Sequence, residues 1–187
     1  MNLCHRVFCS SHRYFKSVEN TLLPWVLTDV DLGDNVLEIG PGYGANIRVL
    51  IDMAPHYTAV EIDQTMAERL HDTYSDRARI IRGDGTDTGL PSGEFSAVVC
   101  FTMLHHIPSA ALQDAALAEM ARVLRPGGVL VGSDGMDTPE RRRLHQDDIF
   151  VPVESATLAD RLLDAGFADA TVEVEGDRLR FAATAGH

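Results

Sequence analysis

"VLEIGPGYGANIRVL" (36–50) passes from a short apolar run through three alternating glycines into a stretch with apolar residues at helical spacing. That order predicts a strand, a tight turn and a helix. Gly40-Pro41-Gly42-Tyr43-Gly44-Ala45 satisfies G-x-G-x-x-G/A, the pattern in which bare backbone lets a ligand approach the turn between a first strand and its helix. A glycine turn alone can also serve tight packing, so its neighbours decide. Glu38, two residues before Gly40, is expected to point a carboxylate toward the crevice at the strand end. A carboxylate there repels a pyrophosphate and stabilises an ammonium or sulfonium, which favours a cationic ligand over a dinucleotide.

Working outward, strands and helices alternate. "NVLEI" (35–39), "YTAVEI" (57–62), "ARIIRG" (78–83), "FSAVVCF" (95–101) and "GVLVGSD" (128–134) are short, apolar and bounded by Gly, Asp or Pro. "SAALQDAALAEMARVL" (109–124) has Ser109 as N-cap and Leu117, Met120, Ala121 and Leu124 on one face, and "RPGG" stops it. Alternation of this kind implies parallel strands with right-handed crossovers, hence an open doubly wound α/β sheet. The ending differs. "LADRLLDAGF" (158–167) reads as a last helix, and "DATVEVEGDRLRFAATA" (169–185) as two strands about a "GD" turn, an antiparallel hairpin at the sheet edge. Residues 10–27 form a further helix, with Pro24 and Trp25 near its end.

Two more acids fall at successive strand ends. Glu61 closes the second strand, twenty-one residues after Gly40, where this architecture places an acceptor for ribose hydroxyls. Asp63 competes for that role, but strand alternation turns Glu61 toward the crevice. In "RGDGTD", Asp84 can accept from an adenine amino group while the amides of Gly85 or Thr86 meet the ring. Together these positions describe a bound adenosine.

With 187 residues, 45% hydrophobic and 24% charged, the chain is expected to be one domain spanning 1–187, with 1–30 as an N-terminal helical lid and 135–155 as a substrate-side insertion. Its net charge of -12 repels phosphate backbones and anionic membranes. Cys4, Cys9 and Cys100 make no CxxC pair, the N-terminus lacks the apolar core of a secretory signal, and no apolar run reaches membrane-spanning length. These features predict a cytoplasmic protein with a small-molecule acceptor, no nucleic-acid or membrane partner, and a homodimer left open.

"VLEIGPGYG", "AVEID", "RGDGT" and "ARVLRPGGVLV" resemble, in order, the motifs of the class I S-adenosylmethionine-dependent methyltransferases, particularly the small-molecule branch. The resemblance runs from residue 35 to about 134 and extends to the hairpin ending. It implies a Rossmann-like seven-stranded sheet of order 3-2-1-4-5-7-6 with strand 7 antiparallel, and S-adenosyl-L-methionine as cofactor. Gly40, Pro41, Gly42 and Gly44 would admit the methionine moiety with Glu38 behind them; Glu61 would hold the ribose, Ile62 would pack on the adenine, and Asp84, Gly85 and Thr86 would read its edge. Phe101 and Thr102 would line the sulfonium side. Ser96 departs from the family's usual Asp and leaves one local fold contact open.

The implied reaction is in-line attack of a nucleophile on the sulfonium methyl. His105 and His106, in "FTMLHHIP", are the candidate catalytic bases, of which one is expected to face the site. On the substrate side, Tyr14, Phe15 and Trp25 are lid candidates, and His145 lies in "DGMDTPERRRLHQDDIFVP" (134–152) beside three arginines that read as a solvated helix turn. Cys4, His5, Cys9 and His12 are too irregularly spaced for a zinc set, so no metal is expected. Two other functions share these features: a sensor or inactive partner subunit that binds adenosylmethionine, and, explaining fewer residues, a nicotinamide-dependent oxidoreductase.

Overall fold

The computed structural model describes residues 2–186; of the segment 3–4 it describes only the backbone. Seven strands, β1 (Asn35–Ile39), β2 (His56–Glu61), β3 (Arg79–Arg82), β4 (Phe95–Phe101), β5 (Leu124–Gly135), β6 (Phe167–Glu175) and β7 (Arg178–Ala185), form one sheet of order β3-β2-β1-β4-β5-β7-β6. β7 is antiparallel to both β5 and β6, and the other pairings are parallel. Fold class, strand order and the antiparallel hairpin therefore follow the expected pattern. The Rossmann-like order reverses direction between β1 and β4, which opens a crevice above their carboxyl ends.

Strand alternation divides the core. Leu37, Ile39, Val98 and Cys100 face one way, where α6 (Ala110–Val123) and α8 (Ser155–Asp164) cover them with Leu117, Met120, Leu158 and Leu162. Val36, Ala97 and Val99 face the other way, under the N-terminal helices, the single turn α4 (Ile47–Leu50) and α5 (Gln64–Tyr74). Both faces are covered, so the central strands are apolar throughout rather than alternating. Ser109 caps α6 by accepting from the Leu112 amide, as expected.

Three details differ from the sequence reading. The glycine turn leads into only one helical turn, because residues 42–46 remain a turn. β5 begins at Leu124, and "RPGG" is carried within the strand as an irregularity between the Phe95–Leu124 and Ala97–Val129 pairs. The run expected as one helix over 10–27 is α2 (His12–Ser17), a wide π-type turn over Val18–Leu22 and α3 (Leu23–Val26), with α1 (Leu3–Cys9) preceding it. Pro24 has no N–H to give the Asn20 carbonyl, which accounts for the local widening. Ser96 makes the contact its identity had put in doubt. Its hydroxyl accepts from the Asn35 amide at 2.8 Å and faces the carbonyls of Leu32 at 2.7 Å and Asn35 at 2.8 Å, tying the entry of β1 to β4.

Candidate functional site

A cavity of about 440 Å³ lies at the carboxyl ends of β1, β2, β3 and β4. Gly40, Pro41 and Gly42 form its floor, and Gly40 and Gly42 both adopt left-handed backbone (φ 71° and 54°). A Cβ on Gly40 would meet Met103 Cγ at 2.3 Å, whereas one on Gly42 would meet nothing within 4 Å. Gly40 therefore answers to packing as well as conformation; Gly42 keeps open space beside the cavity. Gly44 does not line the cavity, contrary to expectation: its absent Cβ makes room for Leu70 and Ile47, so it brings α5 against the turn.

Glu61 is 5% exposed and reaches the cavity wall. Its two oxygens accept from the amides of Gly42 and Asp63, each at 2.9 Å, which fixes the carboxylate and leaves further lone pairs for a ligand. Burial pushes its pKa up, opposed by those backbone donors. Asp63 caps α5 instead, accepting from the Met66 amide at 3.0 Å. Ile62, Asp84, Gly85 and Thr86 line the same end. Asp84 Oδ1 is held by the Thr86 amide at 2.9 Å and hydroxyl at 2.8 Å.

Glu38 corrects the expectation of a carboxylate in the crevice. It is fully buried, outside the cavity lining, and its oxygens accept from Asn46 Nδ2 at 2.8 Å and Tyr57 Oη at 2.7 Å. The side chain shares the face of Val36, so it lies beneath the turn rather than at its mouth. Burial pushes its pKa up to about 7, although both hydrogen bonds favour the charge. Its partner Asn46 does reach the cavity, and Asn46 Oδ1 is buried with no hydrogen-bond partner among the described residues. That acceptor escaped the sequence reading, because an Asn just past the glycines has no motif value until its burial is known.

The opposite end of the cavity is built from distant segments. Phe101 and Thr102 line it from the end of β4, and Thr102 has a left-handed backbone (φ 49°), uncommon for a β-branched residue. Tyr14 lines it from α2, with its hydroxyl 3.3 Å from Thr102 Oγ1 and its pKa raised by burial to about 12. Met103, Ile107, Leu112 and Ile149 add an apolar wall. Phe15 and Trp25 are not in it; they pack toward the core on the other face of the sheet, and Trp25 lies under Arg178 and Arg180.

Of the two candidate bases, His106 lines the cavity and His105 does not. His105 is 2% exposed, with Nδ1 2.5 Å from Asp134 Oδ1 and Nε2 3.1 Å from His145 Nε2. A ring held at both nitrogens behind the wall cannot reach an acceptor. His145, expected on the substrate side, is likewise buried and outside the lining, because the end of α7 (Pro139–Leu144) turns it inward. Burial lowers the His106 pKa to about 3, aided by repulsion from His105, His5 and His145. It is a neutral imidazole at pH 7, better suited to accepting a hydrogen bond than to serving as a strong base. His5 stands near His145 and His106, while Cys9 lines the cavity and His12 is exposed. Of the irregular Cys4, His5, Cys9, His12 set, the Cys4 side chain lies outside the described residues.

The profile of a family described as a methyltransferase domain matches residues 37–132. The highly reducing polyketide synthase sthA of Phaeosphaeria nodorum is 29% identical over 120 residues, covering 58% of this chain and 4% of that protein. The ribosomal RNA small subunit methyltransferase A of Cupriavidus taiwanensis is 33% identical over 72 residues, covering 37% of this chain and 26% of its own. The chain thus spans only a small part of the length of these relatives. Among solved structures, a DhpI complex with SAM and HEP superposes with a TM-score of 0.73 at 22% identity, over 96% of this chain and 93% of that one.

Proposed function

This chain belongs to the methyltransferase-domain family, and on that premise we propose that it transfers a methyl group from S-adenosylmethionine to a small-molecule acceptor within the cavity. One observation carries the reading. A single cavity runs from Glu61, Ile62 and Asp84 at one end to Tyr14, His106 and Ile149 at the other, so donor and acceptor can share one space. The domain assignment, with the first 30 residues as lid and 135–155 as an acceptor-side insertion, is part of the same proposal.

The residues fit the donor on their own chemistry. Glu61 would accept from ribose hydroxyls with its remaining lone pairs, and Asp84 from the adenine amino group. The unpartnered Asn46 Oδ1 suits the methionine ammonium, and burial of that acceptor otherwise goes uncompensated. When bound, the donor supplies an electrophilic methyl on a sulfonium, activated before it arrives. The protein's part is then mostly placement: Tyr14 and Thr102 fix the wall near the sulfonium, Ile107 and Met103 present apolar surface beside it, and His106 orients an acceptor by taking a hydrogen bond from it.

The acidic chain favours a small acceptor over RNA, whose backbone its net charge of -12 repels. Thermal unfolding with S-adenosylhomocysteine, NAD and NADP tests the donor site. At ~100 times its dissociation constant a ligand adds ~2.7 kcal/mol to native stability, so the midpoint should rise with the first compound alone. Methyl transfer from a labelled donor to a panel of phenols, hydroxy acids and amines, with ribosomal RNA alongside, tests the acceptor. Transfer to RNA alone would overturn the small-molecule assignment; binding without transfer to any acceptor would favour a sensor.

A further inference from the structure

His5 from α1, His106 from the turn after β4 and His145 at the end of α7 converge beside the acceptor end of the cavity. One nitrogen from each lies within 4.8 Å of the other two. Nitrogens bound to one tetrahedral zinc-class ion at ~2.05 Å stand ~3.3 Å apart, so modest ring shifts would close the set.

The hydrogen bonds behind the rings strengthen the case. His145 Nδ1 lies 2.7 Å from the Arg141 carbonyl, which selects the tautomer with N–H at Nδ1. His5 Nδ1 faces Asp148 Oδ2 at 3.3 Å. Both rings are left with Nε2 as the lone-pair nitrogen, oriented from behind by an oxygen as metal-ligating histidines are. Mutual satisfaction of buried imidazoles does not account for His106, whose ring makes no hydrogen bond among the described residues although its neighbours crowd it, with the His105 ring centred 4.2 Å away. The competing contact is His105 Nε2, 3.1 Å from His145 Nε2; ion binding would displace the proton between them.

We propose that His5, His106 and His145 form a site for one divalent transition-metal ion of the zinc class, with Asp148 and the Arg141 carbonyl fixing two of the rings. Imidazole donors suit zinc, cobalt and nickel better than magnesium or calcium. Three protein ligands leave a fourth position, and since His106 and Asp148 line the cavity, water or an acceptor's oxygen or nitrogen can fill it from there. The ion would also join the N-terminal segment to both acceptor-side loops. Metal binding itself stands apart from methyl transfer; with the ion bound, the single His106 lone pair is taken and an acceptor is oriented at the fourth position instead, the one part that rests on the reading above.

The test titrates untagged, chelator-stripped full chain with cobalt(II) chloride. One ion per chain should bind, with the intense visible bands of low-coordinate cobalt, and zinc(II) should displace it. His5→Ala, His106→Ala and His145→Ala should each weaken binding at least tenfold, while His12→Ala, at an exposed position outside the cluster, should not. Circular dichroism and S-adenosylhomocysteine binding show which variants are folded. Should His145→Ala unfold, His106→Gln decides, since that ring holds no hydrogen bond whose loss would disturb the fold. Absence of stoichiometric uptake, or uptake indifferent to His106, would overturn the site, whatever the outcome for donor binding.

Discussion

The two ends of the cavity are built in different ways. At the end formed by β1, β2 and β3, each functional group sits at a strand terminus within about fifty residues of sequence, and Glu61 is held by backbone amides. At the other end, residues 5 and 14 join 106 and 149 only because the N-terminal helices fold back over the sheet. Asn2 pins that segment by donating to the carbonyls of Leu144 and Gln146, both at 2.8 Å, while Arg6 donates to Tyr43 Oη at 3.2 Å. The first end is backbone architecture that many ligands with the same nucleoside can share; the second is side-chain architecture that can change its acceptor without disturbing the first.

The comparison breaks if the two ends fail to respond separately. The largest expected effect belongs to Glu38, beneath the glycine turn. Its folded pKa of about 7 stands above the ordinary 4.5, so the folded state binds the proton more tightly than the unfolded one. Its contribution is full below pH 4.5 and is lost as pH rises through 7, about 3 kcal/mol in all. Glu38→Gln should flatten the denaturation midpoint between pH 5 and 8, relative to a wild type that weakens across that range. A parallel pH profile in both proteins would remove Glu38 as its source.

Glu61→Ala comes next. It removes the ribose acceptor and orphans the Gly42 and Asp63 amides, and should cost ~1.5–3 kcal/mol of S-adenosylhomocysteine affinity by calorimetry. His106→Ala should cut kcat/KM for a good acceptor by about tenfold, the worth of one positioned hydrogen bond, and leave the S-adenosylhomocysteine dissociation constant within twofold. A matching loss of donor affinity would show the ends to be one unit. The smallest effect is Ile62→Ala. This side chain is 66% exposed without ligand, so covering one face of an adenine should be worth ~1 kcal/mol or less.

What could be read from the sequence follows the same division. That Glu61 and the Gly40–Gly42 turn reach the cavity is legible because strand period and chain order dictate where a strand-end side chain points, and Asp84 reaches it from just past β3. Gly44 misled because the pattern names glycines without saying whether ligand or helix needs the space, and here Leu70 and Ile47 take it. Glu38 stands behind the glycines, as the resemblance implies, but does not reach the crevice, because cover by Asn46 and Tyr57 comes from two other elements. His105 and His106 are adjacent and indistinguishable in sequence; Asp134, twenty-nine residues on, captures one and leaves the other on the wall. The convergence of His5 with His145 has no local spacing at all.

Thr102 carries one more consequence. Its left-handed backbone puts a branched side chain where glycine would rest comfortably, at a cost of about 1–3 kcal/mol. Replacement by glycine would relieve that tension and make a hardier fold, yet would silence the hydroxyl that meets Tyr14 under the lid. Selection for heat tolerance and selection for aim would therefore pull this position in opposite directions.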